Sequence, residues 1–373
     1  MNILLVTSEF PPFKGGVANY YGNLVDSWPR PNSLTVPDSL TVLHNNKKEL
    51  ISASHFWPWR RAFRAIKKEI KKAAIGYILV GQVLPLGTVV WILSFCRTLK
   101  YAVFFHGMDL SYSRQRLHKR LLTGLIIKRA DKIICANSYV KSQIDKYYPV
   151  GSAKAIIANP GIPAEVPRPK EGILDHLKTI YGLGKNNNQV ILFTLGRLVK
   201  RKGVDKVISA LKAIPEELLT GLKYFVAGVG PDEEYLKALV PDKLKDRVVF
   251  LGELNEDEKW AWLNLCDIFI MPARNIEGDF EGFGIVYLEA NLCGKPVIAG
   301  LSGGVRDAVE PNYNGLMVDP EDENSIRDAI TRLINDSELR AKLGRQGQAR
   351  TLNEFSWPAQ AISLNKQLKN NTL

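Results

Sequence analysis

Glu281 and Glu289, with seven residues between them, lie in the stretch DIFIMPARNIEGDFEGFGIVYLEANLCGKPVIAG, residues 267–300. The apolar run Ile268–Met271 reads as a buried strand. A polar loop carrying Gly278, Gly282 and Gly284 follows, and a helical pattern then runs from Ile285 to Cys293, closed by Gly294. Pro296–Ala299 starts another strand. The loop is glycine-rich where the helix begins, so free N–H groups and the positive end of the helix dipole make a seat for a phosphate. Glu289 shares an apolar helix face with Ile285, Leu292 and Cys293. A carboxylate there needs a partner; a salt bridge and a ligand hydroxyl both meet that need.

Two further stretches have the same chemistry. ILFTLGR, residues 191–197, ends a strand with a cation, and Lys202-Gly203 opens the helix VDKVISALK. Arg197 and Lys202 thus flank a helix N-terminus in a way that suits a diphosphate. At the start of the chain, strand Ile3–Val6 is followed by Pro11-Pro12, Gly15-Gly16 and a helix from about Val17; this is a phosphate-type turn or an ordinary strand-to-helix connection. A third feature, His106-Gly107-Met108-Asp109, stands at the carboxyl end of strand Tyr101–Phe105, the end that faces the ligand crevice in open α/β sheets.

Other elements must carry these residues. Residues 73–96 contain no charge, but Gly76, Gly81, Pro85 and Gly87 interrupt the run. It reads as strand Tyr77–Val80, a loop and helix Thr88–Phe95 rather than a membrane span. Further strands are expected at Lys132–Ala136, with Asn137-Ser138 capping the next helix, and at Ala155–Asn159. Residues 163–186, rich in Pro, Lys and Gly, read as a linker. A second α/β series starts at Val190, with strands at Tyr224–Ala227, Val248–Leu251 and Leu316–Val318, one long helix through 323–348, and a last helix after Phe355-Ser356-Trp357. The expected domains are 1–168 plus 358–373, and 169–357.

The 373 residues suit two domains, and 46% hydrophobic content suffices for their cores. Cys96, Cys135, Cys266 and Cys293 have no zinc or C-x-x-C spacing and read as reduced core residues of a cytoplasmic protein. Residues 1–170 carry 25 Lys/Arg against 9 Asp/Glu, net +16; the remainder carries 25 against 29, net −4. No basic recognition motif or RNA-binding aromatic signature accompanies this charge, so nucleic acid is not the expected partner. An anionic membrane surface is. In residues 57–74, Trp59, Phe63, Ile66 and Ile70 recur at helical spacing, and seven Lys/Arg stand against Glu69 alone. That pattern fits a solvated core helix or an interfacial one lying on a membrane through residues 59–72.

EGFGIVYLEA, followed by GKPVIA and Gly303-Gly304, resembles the E-x7-E signature of retaining glycosyltransferases of the GT-B fold, in the large group 1 (family 4 type). LGRLVKRKGVD is similar to the family's G-R-x-x-x-x-K-G, and HGMD to its H-G-x-[DE]. NPGIP, residues 159–163, resembles N-G-[VI]-D but carries Pro160 before Gly161 and Pro163 in place of Asp. The resemblance implies two doubly wound, Rossmann-like domains facing a cleft, an N-terminal acceptor domain joined by the last helix, and a C-terminal donor domain. It implies that Arg197, Lys202 and the amides at Gly284-Ile285 neutralise the leaving diphosphate. Glu281 and His106 would face the sugar, Glu289 the ribose, Gly16 the phosphates, and the backbone near Leu251–Leu254 the base.

The expected activity is therefore retaining hexosyl transfer from a nucleotide-diphospho-sugar, GDP-mannose first and a UDP-sugar second, to a lipid-linked or saccharide acceptor in envelope polysaccharide synthesis. No D-x-D occurs, which fits a site where Arg and Lys replace a metal and no cofactor is required. A doubly wound oxidoreductase is the alternative. It would need G-x-G-x-x-G, of which Gly228-Val229-Gly230-Pro231 is only a fragment. A phosphorylase-like enzyme would need a pyridoxal lysine and a far longer chain.

Overall fold

The computed structural model describes residues 2–13, 15–29, 39–46, 50–51, 59–95, 99–184, 189–277 and 279–369. Cys96, Gly278, Trp57-Pro58 and residues 185–186 and 370–373 lie outside them. The chain divides into two compact units, residues 1–161 with 357–373, and residues 162–356.

The first unit holds a six-stranded parallel sheet: β1 (Ile3–Thr7), β2 (Leu40–His44), β3 (Tyr77–Val80), β4 (Lys100–Phe105), β5 (Lys132–Cys135) and β6 (Ala155–Ile157), in the order β2-β1-β3-β4-β5-β6. From β1 the chain goes out to β2 and then returns to β3 on the other side. The loops at the carboxyl ends of β1 and β3 therefore leave toward opposite faces, which opens a crevice there. β3 and β5 are buried throughout their length, as strands covered on both faces must be. One face packs on Ile66, Val89, Ile126 and Ile144. The other packs on Tyr20, Leu24 and the final helix, Trp357–Lys369, through Trp357, Leu364 and Leu368.

The second unit repeats the plan with β7 (Val190–Leu195), β8 (Leu222–Ala227), β9 (Val248–Gly252), β10 (Ile268–Met271), β11 (Val297–Gly300) and β12 (Gly315–Val318), ordered β12-β11-β10-β7-β8-β9 and parallel throughout. Here the strand order reverses between β7 and β10.

The structure departs from the sequence reading in five places. β2 has no counterpart there; it is an edge strand, half-buried along its length, without a long apolar run. The segment 163–186 is not a plain linker: Ile173–Tyr181 is a helix whose Leu177 is buried in the core of the second unit. The units accordingly divide at Gly161/Ile162 rather than at 168, since the Ile162 N–H bonds the Phe355 carbonyl (2.8 Å) and Ile162 bridges Ser356. The long helix through 323–348 is two, Glu323–Asn335 and Ser337–Glu354, broken at Asp336, whose carboxylate accepts the Leu339 N–H (2.7 Å). The helix of the amphipathic segment, Arg60–Lys72, turns its stripe inward: Ile66 and Ile70 are buried, and Trp59 and Phe63 pack half-buried against the same core. The seven cations are all exposed, so this helix presents charge to solvent but no apolar stripe.

Ile66→Ala should lower the free energy of unfolding by about 2–4 kcal/mol, because it empties a buried site, while Lys68→Ala should change it by less than about 0.5 kcal/mol. Urea titrations of both variants check this, and equal effects would contradict the inward orientation.

Candidate functional site

In the second unit, the loops leaving β7 and β10 carry opposite charge to the same point. The loop after β7 ends in a short 3-10 turn, Lys200–Lys202, and Gly203 begins the helix Val204–Lys212. The loop after β10 runs to Gly284, which precedes the helix Ile285–Leu292. Between them lies Glu281, 8% exposed. Its carboxylate accepts from Arg201 Nη1 at 2.5 Å and from Lys202 Nζ at 2.6 Å, and Arg201 Nε also reaches Asp279 (3.2 Å). Two cations on one buried carboxylate satisfy its need for partners.

The Glu281 backbone is fixed from the other side. Its N–H donates to Ser302 Oγ (3.3 Å), and its carbonyl accepts the Gly304 N–H (3.1 Å). Gly303 has φ +50, and a Cβ there would lie 2.2 Å from the Glu281 carbonyl oxygen, so only glycine fits. Gly284, at φ +75, lets the chain enter the helix from the left-handed region; a Cβ would meet the Tyr287 ring at 2.3 Å. Behind the loop, Arg274 donates to Asp205 (2.7 Å), and its N–H bonds the Arg201 carbonyl (2.8 Å).

The other expected residues of this unit are spread around that cluster. Arg197 shares the loop with Lys202 but is exposed, and it pairs with no carboxylate among the described residues. Glu289, one helical turn beyond Ile285, accepts from Lys259 Nζ (3.1 Å), a residue of the helix Glu256–Leu265. Burial raises the Glu289 carboxyl above its ordinary range, with the Lys259 charge opposing. Leu251 and Leu254, at the carboxyl end of β9, are half-buried, two strands from β7. Arg201 and Lys259 are absent from the sequence reading. The run Lys200-Arg201-Lys202 and the need of Glu289 for a partner are the signals that point to them.

In the first unit, Gly16 begins the helix Gly16–Asp26, with no side-chain cap on its amides. His106 follows β4. The single hydroxyl proton of Tyr21 goes to the Gly81 carbonyl (2.8 Å), so the 2.7 Å contact between Tyr21 and His106 requires His106 Nε2–H to donate to the phenol oxygen. The ring is then the Nε2–H tautomer, with Nδ1 as its acceptor. Burial lowers His106 to about 4, keeping it neutral near pH 7. Asp109 holds the turn by accepting the N–H groups of His106 (3.0 Å), Gly107 (2.9 Å) and Leu110 (3.0 Å). Burial pushes its carboxyl up to about 6 against those bonds.

Two doubly wound units, one with a cation-held carboxylate at its β7–β10 switch point and the other with a neutral histidine at the carboxyl end of β4, have the architecture that places ligands at the carboxyl ends of parallel strands. Residues 178–350 match the family described as glycosyl transferases group 1. A GDP-mannose-dependent monoacylated alpha-(1-6)-phosphatidylinositol monomannoside mannosyltransferase of Corynebacterium glutamicum is 30% identical over 375 residues, covering 95% of this chain and 94% of the relative. A GDP-mannose-dependent alpha-(1-6)-phosphatidylinositol monomannoside mannosyltransferase of Mycobacterium tuberculosis is 28% identical over 378 residues, 97% of this chain and 96% of the relative. In structure, Anabaena HepE in complex with UDP superimposes with a TM-score of 0.74 at 19% identity, covering 99% of this chain and 100% of that one. The chain belongs to the group 1 glycosyl transferases. It is a glycosyltransferase, and its two parallel six-stranded sheets match the GT-B architecture.

His106 and Asp109 carry opposite pH effects. His106 titrates at about 4 in the fold and 6.5 outside it, so its contribution to stability is full above about 6.5 and is lost as pH falls toward 4. Asp109 titrates at about 6 against 3.8, so its contribution is full below about 3.8 and is lost as pH rises toward 6. Between those limits the native chain keeps on Asp109 the proton that the unfolded chain keeps on His106, and the two effects cancel. Asp109→Asn should therefore expose an acid-induced loss of about 1–2 kcal/mol between pH 6.5 and 4, a figure reduced because both side chains are half-buried rather than sealed. His106→Asn should give the opposite slope. Urea titrations across that range check both, and parallel profiles for wild type and variants would refute the pairing.

Proposed function

We propose that the protein transfers a mannosyl group from GDP-mannose to a lipid-linked acceptor, with retention at the anomeric carbon and without a metal ion. The observation that carries this is Glu281 held by Arg201 and Lys202 at the β7–β10 switch point, beside the helix N-terminus at Gly284. A nucleoside diphosphate leaving group needs positive charge where its own negative charge develops. Lys202, the exposed Arg197 and the amides at Gly284-Ile285 supply it, so no bridging cation is needed. Glu281 is then the carboxylate that turns to the sugar once phosphate takes over its cations. His106 Nδ1, a neutral acceptor, suits a sugar hydroxyl, and Glu289 suits the ribose. Gly16 and the backbone near Leu251 and Leu254 complete the donor site. Departure of the diphosphate from the face that the acceptor attacks is favoured over a covalent intermediate, since no carboxylate is evidently the nucleophile.

The GDP-mannose dependence and phosphatidylinositol-mannoside acceptors named for the mycobacterial and corynebacterial relatives support the donor and the lipid class. UDP-sugars are the second choice, supported by the UDP complex of the Anabaena protein. Among the described residues no helix is long and apolar enough to cross a membrane. With a lipid-linked acceptor, we assign the enzyme to the cytoplasmic face as a peripheral protein. There the seven exposed cations of Arg60–Lys72 contribute about 1 kcal/mol each near anionic lipid.

A donor screen scored by nucleoside diphosphate release tests the reading: GDP-mannose should lead, and no release from any nucleotide sugar, with NAD bound instead, would overturn it. Glu281→Gln should cut turnover by about 10²–10³-fold while GDP binds no more weakly, because the competing carboxylate is gone. Arg197→Ala should weaken both by about 3 kcal/mol. Wild-type turnover in either variant, measured beside GDP calorimetry, would sink the assignment. Transfer should also persist in excess EDTA; activity lost there and restored by Mn²⁺ or Mg²⁺ would show that the cations do not replace a metal.

A further inference from the structure

The apolar surface that the Arg60–Lys72 helix does not offer is present elsewhere in the same unit. The helix Leu117–Arg129 buries Thr123, Ile126 and Ile127. Leu117, Leu121 and Leu125, spaced at i, i+4 and i+8, point outward and are 72%, 62% and 49% exposed. Three leucines in a row on the outer face of a helix are unusual, because such a stripe ordinarily meets a core. Val150, 59% exposed, lies beside them. Leu121, Leu125, Val150 and the Tyr147–Pro149 turn line a groove of about 510 Å³.

The charge on this helix is all of one sign. From Leu110 to Ala130 there is no Asp or Glu. Arg116, Arg120 and Lys128 are exposed, and none pairs with a carboxylate among the described residues. A second copy of the chain seated on this face by a twofold axis would bring these cations against their own duplicates. An anionic bilayer offers apolar chains for the leucines and phosphates for the cations.

We propose that the Leu117–Arg129 helix is the membrane-inserting element of this protein, with the leucine stripe in the acyl boundary of an anionic leaflet and the Arg60–Lys72 helix contributing charge alone. The purpose of this surface rests on the lipid-acceptor reading above, but the surface itself can be tested without acceptor or donor. The two helices then differ in their response to salt. Charge contributed by Arg60–Lys72 is screened, whereas apolar insertion persists.

The experiment uses the full chain and vesicles of phosphatidylcholine with about one-third phosphatidylglycerol. Wild type should retain a sedimenting fraction in about 0.5 M NaCl. Leu121→Glu with Leu125→Glu should lower that fraction at least tenfold, with the circular-dichroism melt unchanged, since both positions face solvent. Arg60→Glu with Lys67→Glu should lower only low-salt binding. A second, non-disruptive probe is Leu121→Trp, whose indole emission should shift to the blue on vesicle addition and be quenched by brominated lipid. High-salt binding that survives the double Glu substitution, an unshifted emission from the Leu121→Trp variant, or a wild-type dimer in sedimentation that the Glu substitutions dissociate would each overturn the proposal. Insertion without mannosyl transfer would instead count against the acceptor reading and leave this surface standing.

Discussion

The site in the second unit depends on one carboxylate with two cations. Glu281 is buried, and a buried carboxylate with no partner costs several kcal/mol. Arg201 and Lys202 meet that cost, and in doing so they fix the loop after β7 against the loop after β10. The sheet makes this meeting possible. β7 and β10 are adjacent in space yet separated in sequence by β8 and β9, so their loops converge without competing for the same crossover. Arg274 and Asp205 reinforce the arrangement from behind, where Arg274 ties its own loop to the Arg201 carbonyl.

The first unit solves a different problem with the same topology. Its switch point, between β1 and β3, carries little charge. Gln82 accepts from the Ser8 N–H (2.8 Å) and donates to Thr7 (3.2 Å), linking the two loops. Tyr21 then joins β3 to β4 by bonding both Gly81 and His106. A neutral, oriented imidazole results from burial and one shared phenol. The first unit thus gathers hydrogen-bonding groups at its strand ends, where the second gathers charge.

Much of this is legible in the sequence, and the failures share a cause. β3, β5, β10 and β11 read as strands because parallel strands covered on both faces are continuous apolar runs. The helix after Gly284 is readable from its glycine start and its periodicity. β2 escapes such a reading because an edge strand needs only half its surface buried. Periodicity shows that a helix has an apolar face but not what that face meets. Ile66 and Ile70 face the core, while Leu117, Leu121 and Leu125 do not, and nothing in their spacing separates the two cases. In the site, Glu281 and Lys202 can be named from motif, but Arg201 cannot. Its role comes from a contact eighty positions away along the chain.

Gly303 bears on how such a site changes over generations. The position of the Glu281 carbonyl is set by backbone packed so closely that a single methyl group would collide with it. The exposed side chain of Asp279, nearby on the same loop, meets no such restriction. Sequence drift can therefore exchange such outer side chains, while the register of the acidic residue stays locked by main chain. Neighbouring lineages can vary around this point and still inherit the same fixed backbone.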